Sequence, residues 1–282
     1  MVEHIDQFEE EERGEILAAA DALAARRHAA ACHADLIEFC QHMQPDYKVG
    51  KHHRILADLL MEIAEGRKDR ICVNIPPRHG KSQLVSIYFP AWFIGKYPNK
   101  KVMMVSHTTD LAVDFGRKVR NIIDTDAYRQ IFPTVNLAAD SKSAGRWNTN
   151  AGGEYYACGI GSSIAGRGAD LLLVDDPHSE QDVLNGNFDV FDKAYDWFAY
   201  GARTRLMPGG RVAIIQTRWR TSRTPCRTPQ SCRSARPVRS ADHRPAASQH
   251  RDPRWRSQYR KRSTRRPRSC STAQQICCRR QA

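Results

Sequence analysis

The sequence has no run of about 18 consecutive apolar residues, the length that a transmembrane helix needs, anywhere in its 282 residues. Residues 1–6, MVEHID, include two acids and lack the basic start of a secretory signal peptide. These absences predict a cytoplasmic protein with no membrane partner.

Acidic and aliphatic residues are scarce near the C-terminus. Residues 221–282 contain 17 Arg or Lys but only 2 acids, and Val238 and Ile276 are their only Val, Ile, Leu, Met or Phe. The net charge of +13 comes from this segment, because residues 1–220 hold 27 basic and 29 acidic residues. Burial of so few apolar side chains cannot offset the conformational entropy that the segment would lose on folding. We therefore expect the basic tail, residues 220–282, to be disordered.

The stretch 71–82 predicts a phosphate-binding loop. An apolar strand-like run is followed by two prolines, and Gly80-Lys81-Ser82 then leads into an apolar helix. The free backbone N–H groups at a helix start suit a phosphate. Lys81 would reach the β- and γ-phosphates, and Ser82 would bind Mg²⁺. Ile75 stands where the usual pattern has its first glycine. The predicted nucleotide-binding residues are Pro77, Arg78, His79, Gly80, Lys81 and Ser82.

A second motif, residues 170–177, has the sequence DLLLVDDP. Its apolar run predicts a strand buried on both faces, as in a parallel sheet covered by helices. An acid at the end of such a strand lies at the edge where α/β sheets bind ligands. Asp175 would then hold Mg²⁺, and Asp176 is the candidate catalytic base. By itself, Asp-Asp-Pro is equally compatible with a turn that ends a strand.

Three stretches together resemble the ATPase half of the large terminase subunit of tailed phages: residues 76–82, 165–177 and 216–219. The resemblance implies a three-layer α/β fold, a RecA-like P-loop NTPase domain, with ATP and Mg²⁺ as cofactors. It also implies a motor that threads double-stranded DNA into a procapsid inside the host bacterial cell. The implied partners are a small terminase subunit, a portal ring and further copies of the chain in a homo-oligomeric ring. Members of the family usually continue into a nuclease domain with clustered carboxylates, which the tail lacks, so we expect no nuclease activity.

The resemblance leaves several residue roles open. Arg78 and Arg167 are both candidates for the arginine that stabilises transition-state charge, and Arg167 is also compatible with a DNA contact or a strand cap. Gln216, at a strand tip, would sense hydrolysis beside the γ-phosphate, or simply end the strand. Tyr47 or His52 would stack on adenine, or lie in a surface turn.

The expected organisation is an N-terminal helical region (1–66), the ATPase domain (67–219) and the tail (220–282). Apolar residues at Ile16, Leu17, Ala20, Leu23 and Ala24 predict an amphipathic surface helix in the first region. Further strands are predicted at 101–106 and 212–215, with a hairpin in 144–160.

The tail has two possible origins, because the sequence changes character directly after residue 219. We favour out-of-frame translation of a GC-rich gene over a genuine basic arm that binds DNA phosphates. Five of the nine cysteines lie in the tail, at spacings that match no paired zinc motif.

Two other functions also stay open: a helicase-like translocase, and a non-enzymatic prophage remnant that only binds nucleotide.

Overall fold

The computed structural model describes residues 9–139, 141 and 143–217. The predicted tail and the last two residues of the third motif, Arg218 and Trp219, therefore lie outside the described residues. Among the described residues, no helix combines the length and the apolar character that crossing a membrane requires.

Six strands form one sheet with the order β1-β6-β5-β2-β4-β3. All neighbouring pairs are parallel except β3 and β4, which form the predicted antiparallel hairpin. The mixed, mostly parallel α/β fold is thus confirmed. The strands are β1 (Arg70–Asn74), β2 (Lys101–Ser106), β3 (Arg146–Asn148), β4 (Glu154–Gly159), β5 (Ala169–Asp175) and β6 (Leu206–Gln216).

The strand register brings the ends of four strands to one edge of the sheet. Asn74 pairs with Gln216, and Asp175 lies opposite Ile215 on one side and Ser106 on the other. β6 lies between β1 and β5, although it comes last in the chain. Residues that follow β1, β5 and β6 are therefore neighbours in space.

Eight α-helices are described, and of these α3 and α5 pack directly against strands of the sheet. A π-helical segment, Gln83–Tyr88, runs directly into α4, and α8 continues into a π-helical turn (Trp197–Gly201) and a 3-10 turn (Ala202–Arg205). The helices are α1 (Glu10–Ala34), α2 (Leu36–Met43), α3 (Lys51–Ala64), α4 (Phe89–Lys96), α5 (Thr109–Ile123), α6 (Asp126–Ile131), α7 (Glu180–Leu184) and α8 (Asp189–Asp196).

The central strands are buried on both faces, as their continuous apolar runs predict. In β5, Leu171 and Leu173 belong to the core that contains the helices α2 to α5, whereas Leu172 and Val174 belong to the opposite core. The second core is covered by Ile164, Ala202 and the π-helical turn after α8. The described part of the chain therefore has three layers, with the sheet in the middle.

The predicted amphipathic helix forms as α1, but its apolar stripe is not buried. Cys32 is the only buried residue of α1, and Leu17 and Leu23 are 49% and 46% exposed. Ten of the 25 residues of α1 are alanines, whose small surface gives little free energy on burial. α1 is therefore a surface helix that meets the rest of the described chain near its C-terminal end.

The start of α2 provides a test of local stability. The Asp35 carboxylate accepts hydrogen bonds from the backbone N–H groups of Ile37 (2.6 Å) and Glu38 (3.1 Å). We expect Asp35→Ala to lower the free energy of unfolding by about 1 kcal/mol, because two N–H groups lose their acceptor. Urea unfolding monitored by circular dichroism measures this change. Asp35→Asn, which keeps an acceptor oxygen, is the control, and an equal loss in both variants would contradict the capping role.

Candidate functional site

Lys81 occupies the centre of the candidate site. Its side chain is nearly buried (6% exposed), and its Nζ lies 2.8 Å from Asp176 Oδ2. The same ammonium donates a hydrogen bond to Thr217 Oγ1 at 2.7 Å. One cation thus joins the residues that follow β1, β5 and β6.

Asp176 is positioned by its backbone as well as by Lys81. Its φ of 40° lies in the left-handed region, which Asp tolerates better than most residues. The other carboxylate oxygen, Oδ1, accepts the N–H of Thr217 at 2.8 Å, and the Asp176 N–H donates to Ile215 O at 2.9 Å. The carboxylate is therefore held in one orientation at the edge of the sheet.

Asp175 lies deeper than Asp176 and is only 1% exposed. Its Oδ2 accepts a hydrogen bond from Ser86 Oγ at 2.7 Å, whereas its Oδ1 has no hydrogen-bond partner among the described residues. Burial and the nearby Asp176 raise the pKa of Asp175 to about 6, and the hydroxyls of Ser86 and Ser82 oppose this rise. A buried carboxylate oxygen without a partner fits a metal ligand.

The loop between β1 and the π-helical segment turns at two residues with positive φ: Arg78 (60°) and Gly80 (71°). A Cβ at Gly80 would lie 2.5 Å from Nε2 of His53, so the position needs glycine for space as well as for conformation. Ile75, where the usual motif has glycine, is instead buried, and its N–H donates to Gln216 O at 3.1 Å. Ile75 therefore extends the strand pairing, and the turn comes later.

His53 supports this loop from α3. Gly50 N–H donates to His53 Nδ1 at 3.0 Å, so Nδ1 carries no proton and the other ring nitrogen, Nε2, donates to His79 O at 3.0 Å. Burial lowers the pKa of His53, which favours this neutral form. The loop conformation thus depends on a histidine in its neutral state.

A cavity of about 430 Å³ opens beside the loop. Arg78, His52 and Tyr47 line it, and Arg78 is exposed in the loop. Tyr47 is only 6% exposed, and its ring packs edge-on against Tyr88 with the ring centroids 5.5 Å apart. Adenine stacking by Tyr47 or His52 stays a prediction.

Gln216 lies at the tip of β6, as predicted, and is 1% exposed. Its amide donates to Asn74 Oδ1 at 3.1 Å, and its Oε1 has no partner among the described residues. Gln216 therefore links the tips of β1 and β6, while its role as a sensor stays a prediction.

Arg167 is the one predicted site residue that the structure places away from this cluster. It precedes β5 and thus lies at the strand's amino end, about 20 Å from Asp175 at about 3.3 Å per residue. Its guanidinium donates to Glu154 Oε1 at 3.0 Å and stacks over the Tyr156 ring. The other predicted residues are gathered at one edge of the sheet: Pro77, Arg78, His79, Gly80, Lys81, Ser82, Asp175, Asp176 and Gln216.

Three residues that support the site had no assigned role in the sequence: Thr217, Ser86 and His53. Thr217 directly follows Gln216 in the stretch 216–219, so its position at a strand tip could have indicated a role in the site. Ser86 and His53 lie on helical segments, and their partners, Asp175 and His79, are distant in the sequence. No local pattern indicates such contacts.

The raised pKa of Asp175 predicts that this residue destabilises the fold at neutral pH. Its folded pKa of about 6 exceeds the ordinary 3.8, so its contribution to stability is present below pH 4 and is lost as the pH rises through 6. We expect Asp175→Asn to be more stable than the parent chain above pH 7, by up to about 3 kcal/mol, with little difference near pH 4. Urea unfolding at both pH values measures this gap. A variant that is less stable at neutral pH would contradict the burial argument.

Comparison with known proteins finds a family model that matches the segment containing most of this site. Residues 72–186 match the family model described as "Terminase large subunit, T4likevirus-type, N-terminal". No curated protein that was compared matches the sequence. Among solved structures, the crystal structure of the HK97 bacteriophage large terminase is similar over 63% of this chain and 35% of that chain, with 12% identity and a TM-score of 0.42. The chain thus spans about a third of that protein's length.

The matched segment contains most of the loop, with Lys81 and Ser82, and both acids, Asp175 and Asp176. These residues include two of the three stretches that carried the resemblance. The match therefore confirms the resemblance that the motifs predicted: residues 72–186 are similar to the N-terminal part of terminase large subunits.

Proposed function

We propose that the described domain is the ATPase of a phage DNA-packaging motor, which couples ATP hydrolysis to the movement of double-stranded DNA. The observation that carries the proposal is the Lys81 ammonium, held between Asp176 Oδ2 and Thr217 Oγ1 beside the buried Asp175. Lys81 ends the loop that follows β1, and Asp175 and Asp176 lie at the end of β5, which is separated from β1 in the sheet by β6 alone. A lysine and two acids in these positions suit a phosphate and a divalent cation. The position of β6 between β1 and β5 supports the RecA-like assignment.

The residues fit ATP and Mg²⁺. Asp175, with its unpartnered Oδ1, and Ser82 would hold Mg²⁺, while Lys81 and the N–H groups of the loop would hold the phosphates. The metal would neutralise phosphate charge. The cavity lined by Tyr47 and His52 is adjacent to this loop and would receive the adenine.

The contacts around Asp176 suggest how the chain itself acts. When Lys81 turns to the phosphates, Asp176 loses its ion-pair partner and keeps only the hydrogen bond from the Thr217 N–H. That N–H would orient the carboxylate so that it accepts a proton from the attacking water. Gln216, next to Thr217, would transmit the change to β1 through Asn74.

Of the two candidate arginines, we assign the charge-stabilising role to Arg78. Arg78 lies in the loop and lines the cavity, whereas Arg167 is bound to Glu154 at the opposite edge of the sheet. The proposed partners, which rest on the family alone, are double-stranded DNA, the small terminase subunit, a portal ring and further copies of this chain in a ring.

The first test is ATP hydrolysis by the purified chain with Mg²⁺, in the presence and absence of double-stranded DNA. We expect Lys81→Ala to lower turnover at least about 100-fold, because the loop loses its positive charge towards the phosphates. Lys100→Ala is the matched control, since Lys100 is an exposed lysine paired with Asp170 at the other edge. Equal turnover in both variants would place hydrolysis elsewhere, and hydrolysis that DNA leaves unchanged would argue against a motor.

A second test separates the two arginines. We expect Arg78→Ala to lower turnover at least about 1,000-fold, the lower end of the effect of catalytic arginines in such enzymes. Arg167→Ala should keep its turnover in dilute protein. Arg146→Ala, which removes another partner of the same Glu154, is the control for local damage. A loss in Arg167→Ala alone, steeper at higher protein concentration, would instead assign the role to an arginine supplied by a neighbouring copy.

A further inference from the structure

Three metal-ligating side chains meet where α1 ends, outside the site described above. His28 and Cys32 lie one turn apart on α1, and His42 lies near the end of α2. His28 Nε2 is 2.9 Å from His42 Nδ1 and 3.6 Å from Cys32 Sγ, and the three ligand atoms all lie within 4.8 Å of one another. The three ligand atoms are therefore close enough together to be candidates for sharing one ion.

A backbone carbonyl fixes the orientation of one of these ligands. His42 Nε2 lies 3.0 Å from Ala127 O in α6. A carbonyl can only accept, so Nε2 carries the proton and the lone pair of the neutral ring is on Nδ1, the atom that faces His28. Metal-ligating histidines usually donate their second ring nitrogen to a carbonyl or carboxylate in this way.

We propose that His28, Cys32 and His42 form a binding site for a transition-metal ion, with Zn²⁺ as the ion that suits one thiolate and two imidazoles. A tetrahedral Zn²⁺ with Zn–N bonds of roughly 2.0–2.1 Å places two ligand nitrogens about 3.3 Å apart, and a nitrogen and a sulfur about 3.6 Å apart. The nitrogen–nitrogen distance must therefore widen by a few tenths of an ångström, which the exposed His28 side chain allows. Its exposure also leaves an entry path and a fourth position for water.

The site would give α1 a fixed attachment that apolar packing does not supply. Cys32 is the only buried residue of this 25-residue helix. The Cys32 carbonyl accepts a hydrogen bond from Trp92 Nε1 at 3.0 Å, and His42 contacts α6, so the cluster adjoins α2, α4 and α6. An ion here would hold the end of α1 against the body of the domain, independently of nucleotide binding.

The alternative is a hydrogen-bonded cluster that needs no ion. The Cys32 thiol also lies 3.6 Å from Glu38 O, to which it can donate, and the two histidines can hydrogen-bond to each other. Both arrangements keep the same side chains together. They differ in whether the full chain binds a metal through Cys32, which is measurable.

The test uses the full chain, reduced and freed of metal with a chelator, and titrated with Co²⁺ and then Zn²⁺. We expect a thiolate-to-Co²⁺ absorption band that saturates at one ion per chain and is removed by Zn²⁺. Cys32→Ser should lose this band. His28→Asn, an exposed substitution that leaves folding intact, should weaken Co²⁺ binding at least about 10-fold. His33→Asn, the neighbouring histidine of α1, is the matched control and should keep it.

Thermal unfolding gives a second readout that does not depend on absorption. Excess Zn²⁺ should raise the melting temperature of the parent chain and of His33→Asn by about 5 °C or more, and that of His28→Asn by much less. A cobalt band of equal intensity in the parent chain and in Cys32→Ser would assign the metal to other cysteines and overturn the proposal. The absence of any band, or equal Zn²⁺ stabilisation of the parent chain and His28→Asn, would overturn it as well.

Discussion

The Lys81 ammonium holds together the ends of three strands, and the rest of the candidate site depends on its position. Its partners, Asp176 and Thr217, follow β5 and β6, and Lys81 itself ends the loop after β1. Removing one partner of a nearly buried ion pair leaves a charge without compensation, which is strongly unfavourable. A phosphate that binds Lys81 would replace the lost partner. The proposed nucleotide thus substitutes for an interaction that the free domain already makes.

Asp175 and Asp176 are adjacent in sequence but have different surroundings. Asp176 has Lys81 and a backbone N–H as partners, whereas Asp175 is buried with one oxygen unpartnered and a raised pKa. The backbone produces this difference, because Asp175 is the last residue of β5, whereas Asp176 follows the strand with a left-handed φ of 40° and its carboxylate contacts Lys81. In the proposed mechanism the two acids accordingly have two roles, one towards the metal and the other towards water. Because its pKa is raised by burial, an ionised Asp175 lowers the free energy of unfolding of the domain at neutral pH.

Much of the fold and of the site could be predicted from local sequence. The apolar run in residues 171–174 indicated a strand buried on both faces, and Asp175 and Asp176 followed from their position at its end. Lys81 followed from the loop between a strand and a helix. Sequence could not show that Ile75 continues the sheet and that the turn falls at Arg78 instead, because this depends on pairing with the distant β6. Nor could it separate the two arginines, since the in-chain partner of Arg167 is set by tertiary packing. The RecA-like assignment, the cofactors and the individual roles stay predictions.

The central claim is that the carboxyl edge of the sheet binds a nucleotide together with a divalent cation. Equilibrium binding of a non-hydrolysable ATP analogue to the full chain, measured with and without Mg²⁺, tests this claim without requiring an active motor. The account predicts Mg²⁺-dependent binding that ATP displaces and that Asp175→Asn weakens, while its fold is retained. The account would be contradicted if the analogue did not bind, or if its affinity were the same with and without Mg²⁺ and in the parent chain and Asp175→Asn.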